Sequence, residues 1–373
     1  MEQKPFSKEH SLVIKGVAII MMLCYHCFLP VPGNFDGYSL SFFPFTATQV
    51  SDFATFCKIC VCLFAFVSGY GLFFSFRKWR RVNPDCSCAR WLWQRYVRTF
   101  SSFWLIVVLC WIVCGLIDGR PKAIYLNNSR IAAICYALLD IMGVSRIMGT
   151  PFLINTWWYM GAALIFIVTT PLLYEMLGRF GSTGTFLLLI IVPRVFIGYP
   201  GSTKPLSFLP VFSLGMIFAK NQIFDRIEAF INGRTGTHIC LGAGFVFISV
   251  VLFFFDRRLP NNLFWDLKWG VFPIAYVICI FLTFIHFPVI KQILQFLGKH
   301  SANIFMVHTF IRDTYCRPFI YGQGHFLLVI LTLLAISLLV SFLIEGLKKL
   351  ILYGCFIAKL ETLSFSLGRT NNT

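Results

Sequence analysis

The sequence predicts an all-helical integral-membrane protein with about ten transmembrane helices and both termini in the cytosol. Three observations carry that reading. Hydrophobic residues make up 58% of the 373-residue chain and charged residues only 13%, about half the usual soluble fraction. Mean hydropathy is +0.77, and 43 Phe and 9 Trp stand beside 15 Asp plus Glu. A soluble core of this size cannot hide so much apolar surface, so lipid is the solvent for most side chains. Finally, apolar runs of about 17–25 residues, each long enough to cross the hydrocarbon as a helix, recur along the chain.

Ten such runs follow in order. The first, near 12–30, carries His26 and is followed by no small-residue cleavage site, so it reads as an uncleaved span rather than a signal peptide. The second, near 53–76, leads into a strongly basic loop, and the third runs near 100–117. The fourth, near 157–177, opens on Trp157-Trp158-Tyr159, and the fifth, near 183–199, contains Arg194. The remaining five lie near 206–220, 238–255, 269–288, 301–320 and 326–347. Of these, 206–220 and 301–320 are the weakest, being short or interrupted by polar residues. No soluble domain is expected at either end, so residues 1–373 read as one membrane domain.

Lysine and arginine set the orientation. The segment 77–98 holds Arg77, Lys78, Arg80, Arg81, Arg90, Arg95 and Arg98 against the single acid Asp85. Placing it in the cytosol puts Lys4, Lys8 and Lys15 there too, and with ten spans the basic C-terminus follows. The main outer segment is then 118–156, with a semi-apolar stretch at 131–143 suited to the membrane interface. The net charge of +17 lies between apolar runs, so it calls for no nucleic-acid partner. It fits positive-inside topology and anionic lipid headgroups, or recognition of an anionic cytosolic cofactor by the same loops. Most of the 14 cysteines lie inside apolar runs, where Cys acts as a small hydrophobe. Cys24–Cys27 and Cys57–Cys60 have zinc-like spacing without a second Cys/His pair, so no metal is expected.

Ionisable groups inside a span are expensive and mark candidate functional positions. In the first span Lys15 and His26 are eleven positions apart. On a helix that is about three turns, which places them on one face with about 16 Å between them along the axis. Read from the residues alone, a snorkelling lysine and an inter-helix histidine are the favoured alternative. In the late segment Ser301 and His308 also share a face, with Ser301 positioned to cap a helix start.

Lys15-Gly16 followed by His26 resembles the opening of the membrane-bound acyltransferase 3 family, which has a basic residue, usually Arg, before a functional His in its first span. Five further stretches are similar to that family in the same order. They are Phe64-Ala65-Phe66-Val67-Ser68-Gly69-Tyr70, Arg95-Tyr96-Val97-Arg98, Trp157-Trp158-Tyr159-Met160 with Pro171, Phe212-Ser213-Leu214-Gly215, and Leu297-Gly298-Lys299-His300-Ser301 running on to His308. Lys15 departs from the usual Arg, keeping the charge but losing the bidentate fork.

The resemblance implies transfer of an acyl group, usually acetyl, from cytosolic acyl-CoA to a hydroxyl of an outward-facing sugar or envelope glycan. It makes His26 and His308 the candidate catalytic residues, and Lys15, Arg77, Arg80, Arg81, Arg95 and Arg98 the candidate donor-binding cations. Ser68, Trp157, Trp158 and Tyr159 are substrate-side candidates, though the three aromatics also suit an interfacial belt. Imidazole suits deprotonation of a sugar hydroxyl near pH 7, and guanidinium groups suit phosphate. Expected partners are membrane lipid, acyl-CoA and a glycan in the cell (inner or plasma) membrane; a homo-oligomer is left open. The competing class is a carrier or flippase for anionic or lipid-linked sugars that performs no chemistry.

Overall fold

A computed structural model describes residues 6–29, 35, 37–84, 86–126, 129–196, 204–256 and 265–362. The loop acid Asp85 and the basic terminal residues Lys4 and Arg369 lie outside them. Among the described residues the architecture is α-helical, and each expected span has a helix. We label these α1 (Lys8–Phe28), α2 (Cys60–Val82), α3 (Ala89–Ile117), α4 (Trp158–Arg179), α5 (Gly181–Phe196), α6 (Leu209–Lys220), α7 (Thr235–Asp256), α8 (Phe272–Thr283), α9 (Pro288–Thr309) and α10 (Phe326–Leu350).

Among the described residues, seven helices are long and apolar enough by themselves to cross a membrane. An eighth crossing forms if Pro205–Lys220 and Ile223–Ile231, bent by 56° at their junction, act as one broken span. The apolar part of α5, Gly181–Val192, is shorter. The expected span 301–320 is displaced: α9 begins at Pro288, ends at Thr309, and passes into a π-helical turn over Phe310–Tyr315. Ser301 therefore lies inside a helix rather than at its start, and its hydroxyl donates 2.8 Å to the Gly298 carbonyl. A proline at the first helical position, where its missing N–H is no loss, explains the earlier start.

The chain divides into two units, one of residues Met1–Phe74 and Leu172–Ser341, the other of Ser75–Pro171 and Phe342–Thr373. In the first unit, two helix crossings depend on glycine. A Cβ added at Gly16 of α1 would overlap the Leu294 backbone carbonyl of α9, and one at Gly298 of α9 would overlap the Leu12 carbonyl of α1. Only glycine permits so close an approach, which in lipid supplies the packing and weak hydrogen bonds that hold helices together. A Glu9–Lys291 ion pair of 2.7 Å clamps the same ends. The ion pair Glu9–Lys291 has an offset of 282 positions, and the reciprocal glycine contacts Gly16–Leu294 and Leu12–Gly298 straddle that offset by four positions on either side. The His26–His308 ring contact repeats the 282-position offset 17 residues further along both helices, so α1 and α9 run parallel in register.

The second glycine crossing joins α2 to α6. Gly69 meets the Phe212 carbonyl and Gly215 meets the Phe66 carbonyl, each glycine three residues after the carbonyl its partner touches. Arg194 of α5, a costly charge at membrane depth, is paired with Asp266 at 2.5 Å.

In the second unit, the helix Arg130–Ile141 covers the expected interfacial stretch and carries Asp140, 2% exposed. The Asp140 carboxylate accepts hydrogen bonds from the Tyr125 hydroxyl and, at 2.9 Å, from the Leu153 backbone N–H. Burial nevertheless pushes its pKa up to about 6. A folded-state pKa above the ordinary carboxylate value contributes stability that is full below about pH 4 and lost as pH rises through about 6. Asp140→Asn removes this dependence. Between pH 4 and 7 the melting curve of detergent-purified wild type should lose about 3 kcal/mol relative to the Asn variant. Parallel curves would show that Asp140 does not titrate with folding.

Candidate active site

The parallel register of α1 and α9 has a chemical result. Carried ten residues beyond Gly16 and Gly298, the same 282-position offset brings His26 against His308, with ring centroids 4.9 Å apart and planes tilted by 47°. The distance of about 15 Å from each glycine follows from the ~1.5 Å helical rise. Lys15 stands beside the glycine crossing at the other end of this stretch, so the structure does not bring its backbone to the imidazoles.

His308 is fully buried, with 0% exposure, and its ring is held at both nitrogens. Nδ1 lies 2.7 Å from the Phe305 carbonyl and 3.1 Å from that of Ile304. Carbonyls only accept, so Nδ1 carries the hydrogen in the neutral ring and Nε2 holds the lone pair. Thr309 Oγ1, 2.9 Å away, donates to Nε2. His308 is therefore fixed in one tautomer, whereas His26 is half-buried and faces it.

Cationic groups that sequence reading did not single out surround the pair. Arg312, 5% exposed, lies on the π turn after α9 and is gripped by Asp313 through two 2.7 Å bonds. Its charge acts on both imidazoles. Lys58 acts on His26 and stands 5.3 Å over the Tyr25 ring. The Tyr321 hydroxyl donates 3.0 Å to the Cys27 carbonyl, closing α1 against the helix Arg317–Tyr321. The signal for Arg312 was present: adjacent opposite charges inside an apolar run, four positions after a histidine. What the sequence does not show is the π turn, which departs from the α-helical facing of residues four apart.

The remaining candidates sit elsewhere. Ser68 precedes Gly69 in the α2–α6 crossing. The arginines belong to the second unit. Arg95 donates to the Ser75 hydroxyl and lies 5.8 Å over the Trp91 ring. Arg98 is 2.7 Å from Glu361, and Arg80 donates 3.2 Å to the Cys86 carbonyl. Arg77 is half-buried and Arg81 exposed. Trp157 is buried edge-on against Phe103 at 5.1 Å, a core position rather than an open stacking platform, while Trp158 and Tyr159 are better exposed. Among the described residues no three His, Cys, Asp or Glu side chains gather as a metal site.

A family model described as an acyltransferase domain, that of the membrane-bound acyltransferase 3 family, matches residues 13–346. The chain belongs to that family. No curated protein and no solved structure matches it. Family membership together with the apolar helices makes the protein a multi-pass membrane acyltransferase. The matched region contains the four glycines of the two crossings, the imidazole pair and Arg312. It stops short of Tyr353–Thr362, the helix whose Glu361 holds Arg98.

Proposed function

We propose that this acyltransferase moves an acyl group, acetyl on the precedent of the family it belongs to, from cytosolic acyl-CoA to a hydroxyl of an outward-facing sugar or envelope glycan. The observation that carries the proposal is the imidazole pair. A sugar hydroxyl is a weak nucleophile that needs a base working near neutrality, and imidazole is the side chain suited to that task. His308, locked with its lone pair on Nε2, orients the site; His26 on α1 faces it and is the proposed base. Direct transfer from CoA and relay through an acyl-imidazole both use this pair. Mass spectrometry of envelope glycans from cells with and without the gene tests the reading. Loss of an O-acyl group is expected, and unchanged glycan acylation with altered sugar export would instead support a carrier.

Donor recognition is assigned to the basic loop, with Arg77, Arg80, Arg81, Arg95 and Arg98 as the cations available for CoA phosphates; Lys15, on α1 of the other unit, is a separate candidate cation. For Arg98 this requires exchanging the Glu361 carboxylate for a phosphate. Arg98→Ala should weaken CoA binding by about 1–3 kcal/mol, the range for charge-assisted hydrogen bonds, while Glu361→Gln should strengthen it. Calorimetry on purified protein giving the same affinity for both variants would remove Arg98 from the donor site.

A further inference from the structure

The Arg312 guanidinium is half used. Nε and one terminal nitrogen, Nη2, are bound by Asp313, and the other, Nη1, is buried with no hydrogen-bond partner among the described residues. A buried charged donor left unsatisfied is costly, and such groups are generally accounted for by a structural or chemical role. The carboxylate offsets the net charge, is itself 39% exposed and holds the fork in one plane. This leaves Nη1–H as a fixed, desolvated donor. It stands on a π turn, a geometry common at functional sites, within electrostatic reach of His308, Cys27 and Tyr321, each under 2% exposed.

Lys58, the other cation near the pair, lies over the Tyr25 ring. The imidazole pair alone can move a proton, but acyl transfer also builds negative charge on the carbonyl oxygen. A preorganised donor aimed at that oxygen is usually the largest electrostatic contribution to such a reaction.

We propose that Nη1 of Arg312 is the oxyanion donor of this site, an inference that rests on the acyl-transfer reading above. The imidazole accepts the proton of the sugar hydroxyl as the hydroxyl oxygen forms a bond to the thioester carbonyl carbon. The π electrons of that carbonyl move to its oxygen, where Nη1–H of Arg312 holds them. The oxyanion then collapses, the carbon–sulfur bond breaks, and the CoA thiolate takes the proton from the imidazolium to leave as the free thiol. Asp313 is the positioning residue, fixing the plane of the guanidinium.

The test uses full-length protein in lipid nanodiscs, acetyl-CoA, and envelope glycan from a strain lacking the gene, with free CoA thiol as the readout. Arg312→Gln and Arg312→Ala should lose about 10²–10³-fold in kcat, as for loss of one oxyanion donor, with both KM values within about threefold of wild type. Arg312→Lys should fall between. Added guanidinium should restore at least about 10-fold of the lost rate to Arg312→Ala, because it returns the donor without the side chain.

Wild-type kcat in folded Arg312→Gln protein overturns the assignment, as does a rise in glycan KM at constant kcat, which would make Arg312 an acceptor-binding group. Lost kcat with a collapsed melting transition and no guanidinium rescue overturns it in favour of a structural role. Thiol release absent from wild type, with the glycan remaining unacylated, overturns the acyl-transfer reading itself and is distinguishable from all of these.

Discussion

His26→Gln is expected to lose at least ~10²-fold in acyl transfer, the low end for removal of a general base. The amide retains size and polarity and can hydrogen-bond, but it cannot take up a proton near pH 7. The variant should therefore accumulate in the membrane like wild type and fail at chemistry. The structure sharpens this beyond the sequence argument. His26 faces His308 at 4.9 Å, and the His308 lone pair is already engaged by Thr309. Among the described residues, His26 is thus the member of the pair with no hydrogen bond fixing its ring nitrogens, and His308→Gln should cost less if His308 mainly orients. The measurement is transfer to native glycan normalised to folded protein. Near-normal transfer by His26→Gln would end the catalytic assignment and leave the pair a polar helix contact.

The second large effect is expected at Gly298. A valine there must push its side chain into the Leu12 backbone carbonyl, and backbone cannot yield as a flexible side-chain end does. The α1–α9 crossing should open, at a cost above the ~1–3 kcal/mol usual for overpacking. Because the same crossing sets the 282-position register, transfer should fall with it even though residue 298 lies about 15 Å from the imidazoles along α9. Gly16→Val should behave alike for the reciprocal reason. Gly71→Ala is the control, since a Cβ there meets nothing within 4 Å. Size-exclusion profiles and melting curves in detergent, compared with transfer rates, check the pattern. A monodisperse, active Gly298→Val protein would refute the crossing as drawn.

Both effects trace to motifs that sequence reading treated as separate landmarks. Lys15-Gly16 and Leu297-Gly298-Lys299 are the two halves of one crossing, and Ser68-Gly69 and Phe212-x-x-Gly215 the two halves of another. Their glycines are needed because each backbone carbonyl approaches within the volume a Cβ would fill. The two histidines then meet because each follows its glycine by ten residues on parallel helices. From one sequence, nothing states that residues 282 positions apart are neighbours.

The sequence by itself determined the solvent, the helical class and the order of the spans, because lipid imposes length and apolarity locally on every crossing segment. It also marked His26 and His308, because a polar group at membrane depth stands out against its own neighbours. It misjudged where α9 begins, since Pro288 and the lysines of that segment dilute apolarity without preventing a helix. The pairing of the imidazoles, the tautomer of His308 and the poise of Arg312 were decided only by tertiary structure. Each depends on a partner distant in the chain or on a π turn, and hydropathy, which averages over neighbours in sequence, carries no term for either.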